Sequence, residues 1–265
     1  MIADRGAQRV VVGIDGSEQS LAAAEWGAQE AVRHDVSLTL LYVIDRNRTS
    51  AGDVFDAEQQ LAEAVLCDAN AVVEAIQKPV KVECDIVCGD PGTVLFKESR
   101  SAALLCLGAP KAAPHGPSDS LALDIAASAC CTVAVVPSKC CSAWTSSGRL
   151  VVFLDLANVN YDALQTAMEQ AELQGFSLDV VTTTAAGPAA EELLIRWSQR
   201  SPDIGIRIVE SDDLLRYVAE QHGSVRSVVL GAEHHREVTH LIELTRARPA
   251  YYENPAVLVV RSRHL

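Results

Sequence analysis

The sequence has no apolar run of membrane-spanning length: its longest are strand-sized, against the ~20 residues a membrane helix needs. The first residues, Met-Ile-Ala-Asp-Arg-Gly, carry no apolar signal core, so a cytoplasmic protein that is not bound to a membrane is expected. Basic residues are scarce, 22 Lys and Arg against 35 Asp and Glu in 265 residues, for a formal net charge of −13 with no basic stripe. Such a chain repels phosphate backbones, which argues against nucleic acid as a partner. The same repulsion acts on free nucleotides. Any phosphate site must therefore be built locally, from backbone N–H groups, a metal or a single Lys. Also missing are a Gly-x-x-x-x-Gly-Lys-Ser/Thr loop, a Gly-x-Gly-x-x-Gly turn and a Gly-x-Ser-x-Gly elbow, which disfavours P-loop enzymes, dinucleotide enzymes and elbow-type hydrolases. No catalytic constellation stands in their place, and an enzyme is not expected.

An apolar share of 49% is present, enough for one large core or two ordinary ones. There are eight cysteines; without an export signal they are expected to be reduced and mostly buried. Cys84 and Cys88, four apart in a strand pattern, share one face and are expected to pack in the core. His234, His235 and His240 have no Cys or carboxylate at ligand spacing, so they read as a solvated loop running into a helix rather than a metal site. Cys130-Cys131 and Cys140-Cys141 are two adjacent pairs. Either Cys131 packs at a strand start with Cys140 and Cys141 in a linker, or the pairs sense oxidants or hold zinc.

The chain repeats itself. Arg9-Val-Val-Val-Gly-Ile-Asp15 returns as Arg149-Leu-Val-Val-Phe-Leu-Asp155, and each run leads into a helical pattern, 17–32 and 160–173, whose first copy carries Leu21, Ala24, Ala28 and Val32 on one face. Strand patterns follow at 36–44 and 176–182, helices near 58–76 and 189–199, and strands at 80–87 and 204–209. Asp90-Pro91-Gly92 and Ser211-Asp212 are helix-start signals. The copies close with Ala102–Gly108 and Ser227–Gly231, then Cys131–Pro137 and Pro255–Arg261. The second copy is shorter by about 17 residues, lost mainly from the acidic segment near 51–66. Near-continuous Val/Leu/Ile strands alternating with helices predict an α/β chain: two tandem doubly wound domains, each with a five-stranded parallel sheet, at 7–138 and 148–263 with a linker at 139–147. Ligands bind beyond the carboxyl ends of such strands where the winding reverses, a rim that takes in Asp15, Val43 to Asp45 and Gly108.

Val-Val-Val-Gly-Ile-Asp-Gly-Ser at 10–17, Leu-Tyr-Val-Ile-Asp at 41–45, Leu-Cys-Leu-Gly at 105–108 and the closing Val-Ala-Val-Val-Pro together resemble a tandem universal stress protein of the two-domain kind common in actinobacteria. The resemblance implies the adenine nucleotide alpha hydrolase-like fold, a stress-response role and, in the first domain, a site for ATP, with Mg²⁺ bound only together with it. It assigns Asp15 to the ribose or a metal, Val43 to the adenine, Gly108 to the start of the phosphate loop, and Gly13, Lys111 and Ser120 to the same site. It also implies slow incidental ATP hydrolysis at most, a protein partner, pairing of the two copies through their final strands and a homodimer.

The family's loop runs Gly, two residues, Gly, nine residues, Gly, then Ser or Thr, and this chain departs from it. Lys111 replaces the second Gly, Asp119-Ser120 replaces the Gly-Ser pair two residues early, and Pro110, Pro114 and Pro117 each remove an N–H donor. The second copy keeps Asp155 but lacks the Gly-Ser after it, and Gly231-Ala-Glu-His-His-Arg has neither later Gly, so no nucleotide is expected there. Asp15 also has a purely structural reading, service to the following helix N-terminus. A nucleotide-free scaffold and a cysteine-based redox sensor remain as alternatives.

Overall fold

The computed structural model of the chain describes residues 9–45, 52–110, 120–140, 148–154, 160–182, 188–211, 213–221, 223–247 and 253–261. It divides into two units, 1–138 and 139–265.

In the first unit the elements are β1 (Arg9–Ile14), α1 (Glu18–His34), β2 (Ser37–Ile44), α2 (Gly52–Ala75), β3 (Val82–Cys88), α3 (Pro91–Glu98), β4 (Leu104–Gly108), α4 (Leu121–Ser128) and β5 (Thr132–Val136). The strands pair in the order β3-β2-β1-β4-β5, all parallel. Val10, Val11 and Val12 of β1 are all buried, because helices cover both faces of a parallel sheet. α1 starts where Ser17 Oγ accepts the Ser20 N–H and ends at Asp35, whose left-handed backbone (φ 53°) returns its N–H to Ala31 and Val32. The buried side of α1 carries Ala23, Ala24, Ala28 and Ala31, small enough for the helix to lie close on the sheet.

The second unit repeats the plan as β6 (Arg149–Leu154), α5 (Tyr161–Gln174), β7 (Ser177–Thr182), α6 (Pro188–Arg200), β8 (Ile206–Glu210), α7 (Leu214–Glu220), β9 (Val225–Gly231), α8 (His235–Ala247) and β10 (Ala256–Val260). Its strand order, β8-β7-β6-β9-β10, matches the first. α2 has 24 residues and α6 has 13, so this element holds much of the length difference between the copies. α2 also begins six residues before the sequence pattern placed it.

The cysteine expectations are corrected: of the seven described, only Cys106 and Cys131 are buried, so the thiols are not mostly buried. Cys84 is exposed and Cys88 half-buried, not packed in the core, because β3 is the edge strand of its sheet and pairs with β2 alone. A strand pattern fixes which residues share a face, not whether the strand is central.

Candidate functional site

In the first unit the winding reverses between β1 and β4, and the chain opens a cavity of about 620 Å³ beyond their carboxyl ends. Gly13, Asp15, Val43, Gly108 and Ser120 all line it. Lys111 and Asp119 lie outside the described residues, and Asp45 is not part of the wall.

Each lining residue has a local reason for its place. At Gly108 the backbone of β4 lies close against the start of α1: a Cβ there would come within 2.7 Å of the Gln19 carbonyl carbon and 2.8 Å of the Ser20 nitrogen. A side chain on Gly13 would press on Leu107 Cδ2 at 2.7 Å, so its absence keeps the slot open. The Asp15 carboxylate is exposed and accepts the Ser17 N–H at 2.9 Å, which tightens the turn ahead of α1, while Ser17 itself caps the helix. Ser120 is buried and caps α4, its Oγ accepting the Leu123 N–H at 3.4 Å. Asp90 caps α3 by accepting both the N–H and the hydroxyl of Thr93 at 2.8 Å. The backbone and side-chain bonds from Thr93 hold the Asp90 carboxyl below its usual range.

Three helix N-termini, those of α1, α3 and α4, thus meet one cavity, each with a partial positive charge, although α3 opens on Pro91, which has no N–H, and its Thr93 N–H is taken by Asp90. Its apolar wall is Leu41, Val43, Leu95, Leu107 and Leu121. Sequence reasoning missed Pro91, Leu95 and Leu121; the Asp90-Pro91-Gly92 helix start was visible, but nothing in the pattern aimed it at the rim. Gln19 is also part of the wall, and its Oε1 is buried without a partner.

The adenine and ribose half of a nucleotide fits this donor set. There is an apolar slot, a carboxylate at the strand end, and a volume within the range of about 300–1,000 Å³ usual for small-molecule sites. The triphosphate half does not fit. The Ala109 N–H is bonded to the Val136 carbonyl at 2.7 Å, and Pro110 has no N–H, so the chain leaving β4 offers no donor over its first two residues. Among the described residues no Lys, Arg or His lines the cavity.

The second unit fills the corresponding place with its own side chain. Glu233 folds back over the α-carbon of Gly231 and accepts from Asn160 Nδ2 with both carboxylate oxygens. An anion cradle already holding a carboxylate repels a phosphate. Asp155 lies outside the described residues. His234 is not solvated as expected: it stacks edge-on to Phe153 with ring centroids 4.9 Å apart and faces Glu233, whereas His235 and His240 are exposed. Of the cysteine pairs, Cys130 is exposed, Cys131 buried and Cys140 half-buried, while Cys141 lies outside the described residues.

Residues 6–137 match the model of the universal stress protein family. The chain is 36% identical to universal stress protein Rv3134c of Mycobacterium tuberculosis, over 98% of both chains. It is 31% identical to universal stress protein Rv2624c of the same organism, over 95% of this chain and 96% of that one. Among solved structures, a universal stress protein from Archaeoglobus fulgidus covers 97% of the chain with a TM-score of 0.74 at 16% identity, a likeness of fold. No helix among the described residues is long and apolar enough to cross a membrane. The chain therefore belongs to the universal stress protein family and is a stress-response protein.

Proposed function

We propose that the first unit is an adenine-nucleotide sensor, and that the protein passes the state of this site to a protein partner without catalysing a reaction of its own. The observation that carries this reading is the meeting of three helix N-termini and an apolar slot at the point where the winding reverses. Val43 would contact the base with its side chain and backbone. Asp15 would accept from the ribose hydroxyls, for which a carboxylate at the strand end supplies acceptor oxygens. Gly108 and Ser120 flank the phosphate end, with Lys111 as the nearest cation in sequence. ATP falls within this ligand class and would be held weakly; Mg²⁺ would enter only with its phosphates.

The test is mass spectrometry of small molecules released by heat from the purified full chain. An adenine compound is expected, and its loss is expected in Asp15→Ala. A chain that carries none and binds none on addition would instead be a nucleotide-free scaffold, the reading favoured by the engaged Ala109 N–H.

A further inference from the structure

We propose that Cys67 of α2 and Cys84 of β3 form an oxidation site, at which a peroxide converts two exposed thiols into a disulfide that ties the helix to the edge strand of the first unit.

The fold brings the two residues to one flank. α2 is the crossover between the neighbouring parallel strands β2 and β3, and it packs on both. The Tyr42 hydroxyl donates to Glu58 at 3.0 Å, so the face of β2 that carries Tyr42 and Leu40 lies under α2. Cys84 stands beside Leu40 in the parallel register and therefore points to that same face. On the helix, Ala62, Leu66, Ala69 and Val73 form the buried stripe against the sheet. Val65 turns toward the end of β1, for its Cγ2 is 3.1 Å from where a Cβ on Gly16 would stand. Cys67 follows two residues later, about 200° round the helix, and so turns to the opposite flank, the β3 side.

Both thiols reach solvent. Burial first, then Asp85 and then Cys67 hold the Cys84 thiol above its usual range, so Cys67 lies within electrostatic reach of it. Among the described residues no group of three metal-ligating side chains occurs, so the pair has no third ligand with which to hold zinc. Packing does not call for a thiol at either place. Beside Val180, at the register position that Cys84 holds in the first unit, the second unit has Ile208, and α6 contains no cysteine.

Cys84 keeps its proton the longer, so Cys67 starts the reaction. Its thiolate attacks one peroxide oxygen: an S–O bond forms, the O–O bond breaks, and the departing hydroxide takes the Cys67 proton to become water. The Cys84 thiolate then attacks the Cys67 sulfur: the S–S bond forms, the S–O bond breaks, and hydroxide leaves with the Cys84 proton as a second water. The two thiols are oxidised by two electrons, and one peroxide is reduced to two waters.

The test is treatment of the reduced full chain with hydrogen peroxide, followed by alkylation of the remaining thiols and peptide mass spectrometry. Cys67 and Cys84 are expected to lose their reactivity together, to appear as one cross-linked peptide pair, and to recover together on reduction. Tryptic cleavage leaves Cys84 and Cys88 in one peptide, 82–97, so the link is mapped in variants. It is expected to persist in Cys88→Ser and to vanish in Cys84→Ser, where Cys67 should instead go on to the sulfinic acid that reductants do not reverse. In the unaltered chain, sulfinic acid at Cys67 with Cys84 still open to alkylation overturns the inference. So does a Cys67 that stays reduced, or one that bonds to any other cysteine or to a second chain.

Discussion

Asn160 Nδ2 lies 3.1 Å from each carboxylate oxygen of Glu233, and the same side chain, through Oδ1, accepts the Ala163 N–H at 2.9 Å to start α5. One buried amide therefore ties the start of a helix to the carboxylate that covers Gly231. Gly231 corresponds to Gly108, and Glu233 to Pro110. One copy keeps an open cavity at that place and the other closes it with an anion of its own.

Removing that amide tests the arrangement. Asn160→Ala loses the cap and leaves Glu233 without its amide donor, and is expected to destabilise the second unit by about 1–2 kcal/mol. Glu233→Ala leaves the cap in place. Hydrogen exchange in the first turn of α5 should accelerate in Asn160→Ala and stay near its original rate in Glu233→Ala. Equal acceleration in both contradicts the division of roles.

At the opposite end of the second sheet, Asp179 is 1% exposed and accepts from Arg149 at 3.1 Å, from Arg207 at 3.0 and 2.9 Å, and from the Tyr217 hydroxyl at 2.5 Å. In the first unit the equivalent Arg9 reaches Thr39 at 3.4 Å and pairs with Glu98 on α3. The anion has moved from helix to strand. Asp179 is buried but its arginine partners reach solvent, Arg149 at 29% and Arg207 at 54% side-chain exposure, so Asp179→Ala strands no buried charge and should cost about 1–3 kcal/mol, the scale of lost hydrogen bonds to a charged group, as read by the denaturant midpoint of the second unit. A shift below about 1 kcal/mol contradicts the assignment.

Tyr217 gives a pH dependence. Burial first, then its bond to Asp179, raises the pKa of the phenol above its usual value. The folded unit therefore holds this proton more tightly than the unfolded chain. The contribution is complete below the ordinary tyrosine pKa of about 10 and is lost as pH rises through the folded value. Thermal melts across the alkaline range should show this loss, and Tyr217→Phe should flatten it. An identical alkaline slope in the variant contradicts it.

Much of this was legible in the sequence. The repeat, the parallel β/α order and the rim formed by Asp15, Val43 and Gly108 follow from strand runs that end in Gly or Asp and lead into helices. The cap Asp90 was visible as a start signal; the sequence offered Asp15 for the N-terminus of α1, whereas Ser17 caps it, and Asp213 caps α7 one residue beyond the Ser211-Asp212 signal. What was hidden depends on lateral placement. Cys84 shares a face with Cys88 in any strand, yet its exposure follows from β3 being an edge strand. The Ala109 N–H is engaged because β4 lies beside β5, a neighbour that the sequence pattern does not name. His234 reads as loop composition, and its contact with Phe153 joins residues 81 positions apart.

Thiol chemistry should follow that placement. Burial pushes the Cys106 thiol well above its usual value, with Glu30 and Cys131 adding to the effect, and partial burial raises Cys84 as well. A brief alkylation near neutral pH, read by peptide mass spectrometry, should label Cys67 and Cys130 first and Cys84 more slowly. Cys106 and Cys131 should react only after unfolding. Labelling of Cys106 in the native chain at the rate of Cys130 contradicts the buried position of β4.

The central claim is that one copy of the duplicated fold holds an adenine ligand and the other does not. The stoichiometry of AMP binding to the full chain tests it most directly. The account predicts one equivalent per chain, abolished by Gly13→Val, which pushes into Leu107 and the slot, and retained in Glu233→Gln. Two equivalents per chain, or binding that survives Gly13→Val undiminished, would contradict it.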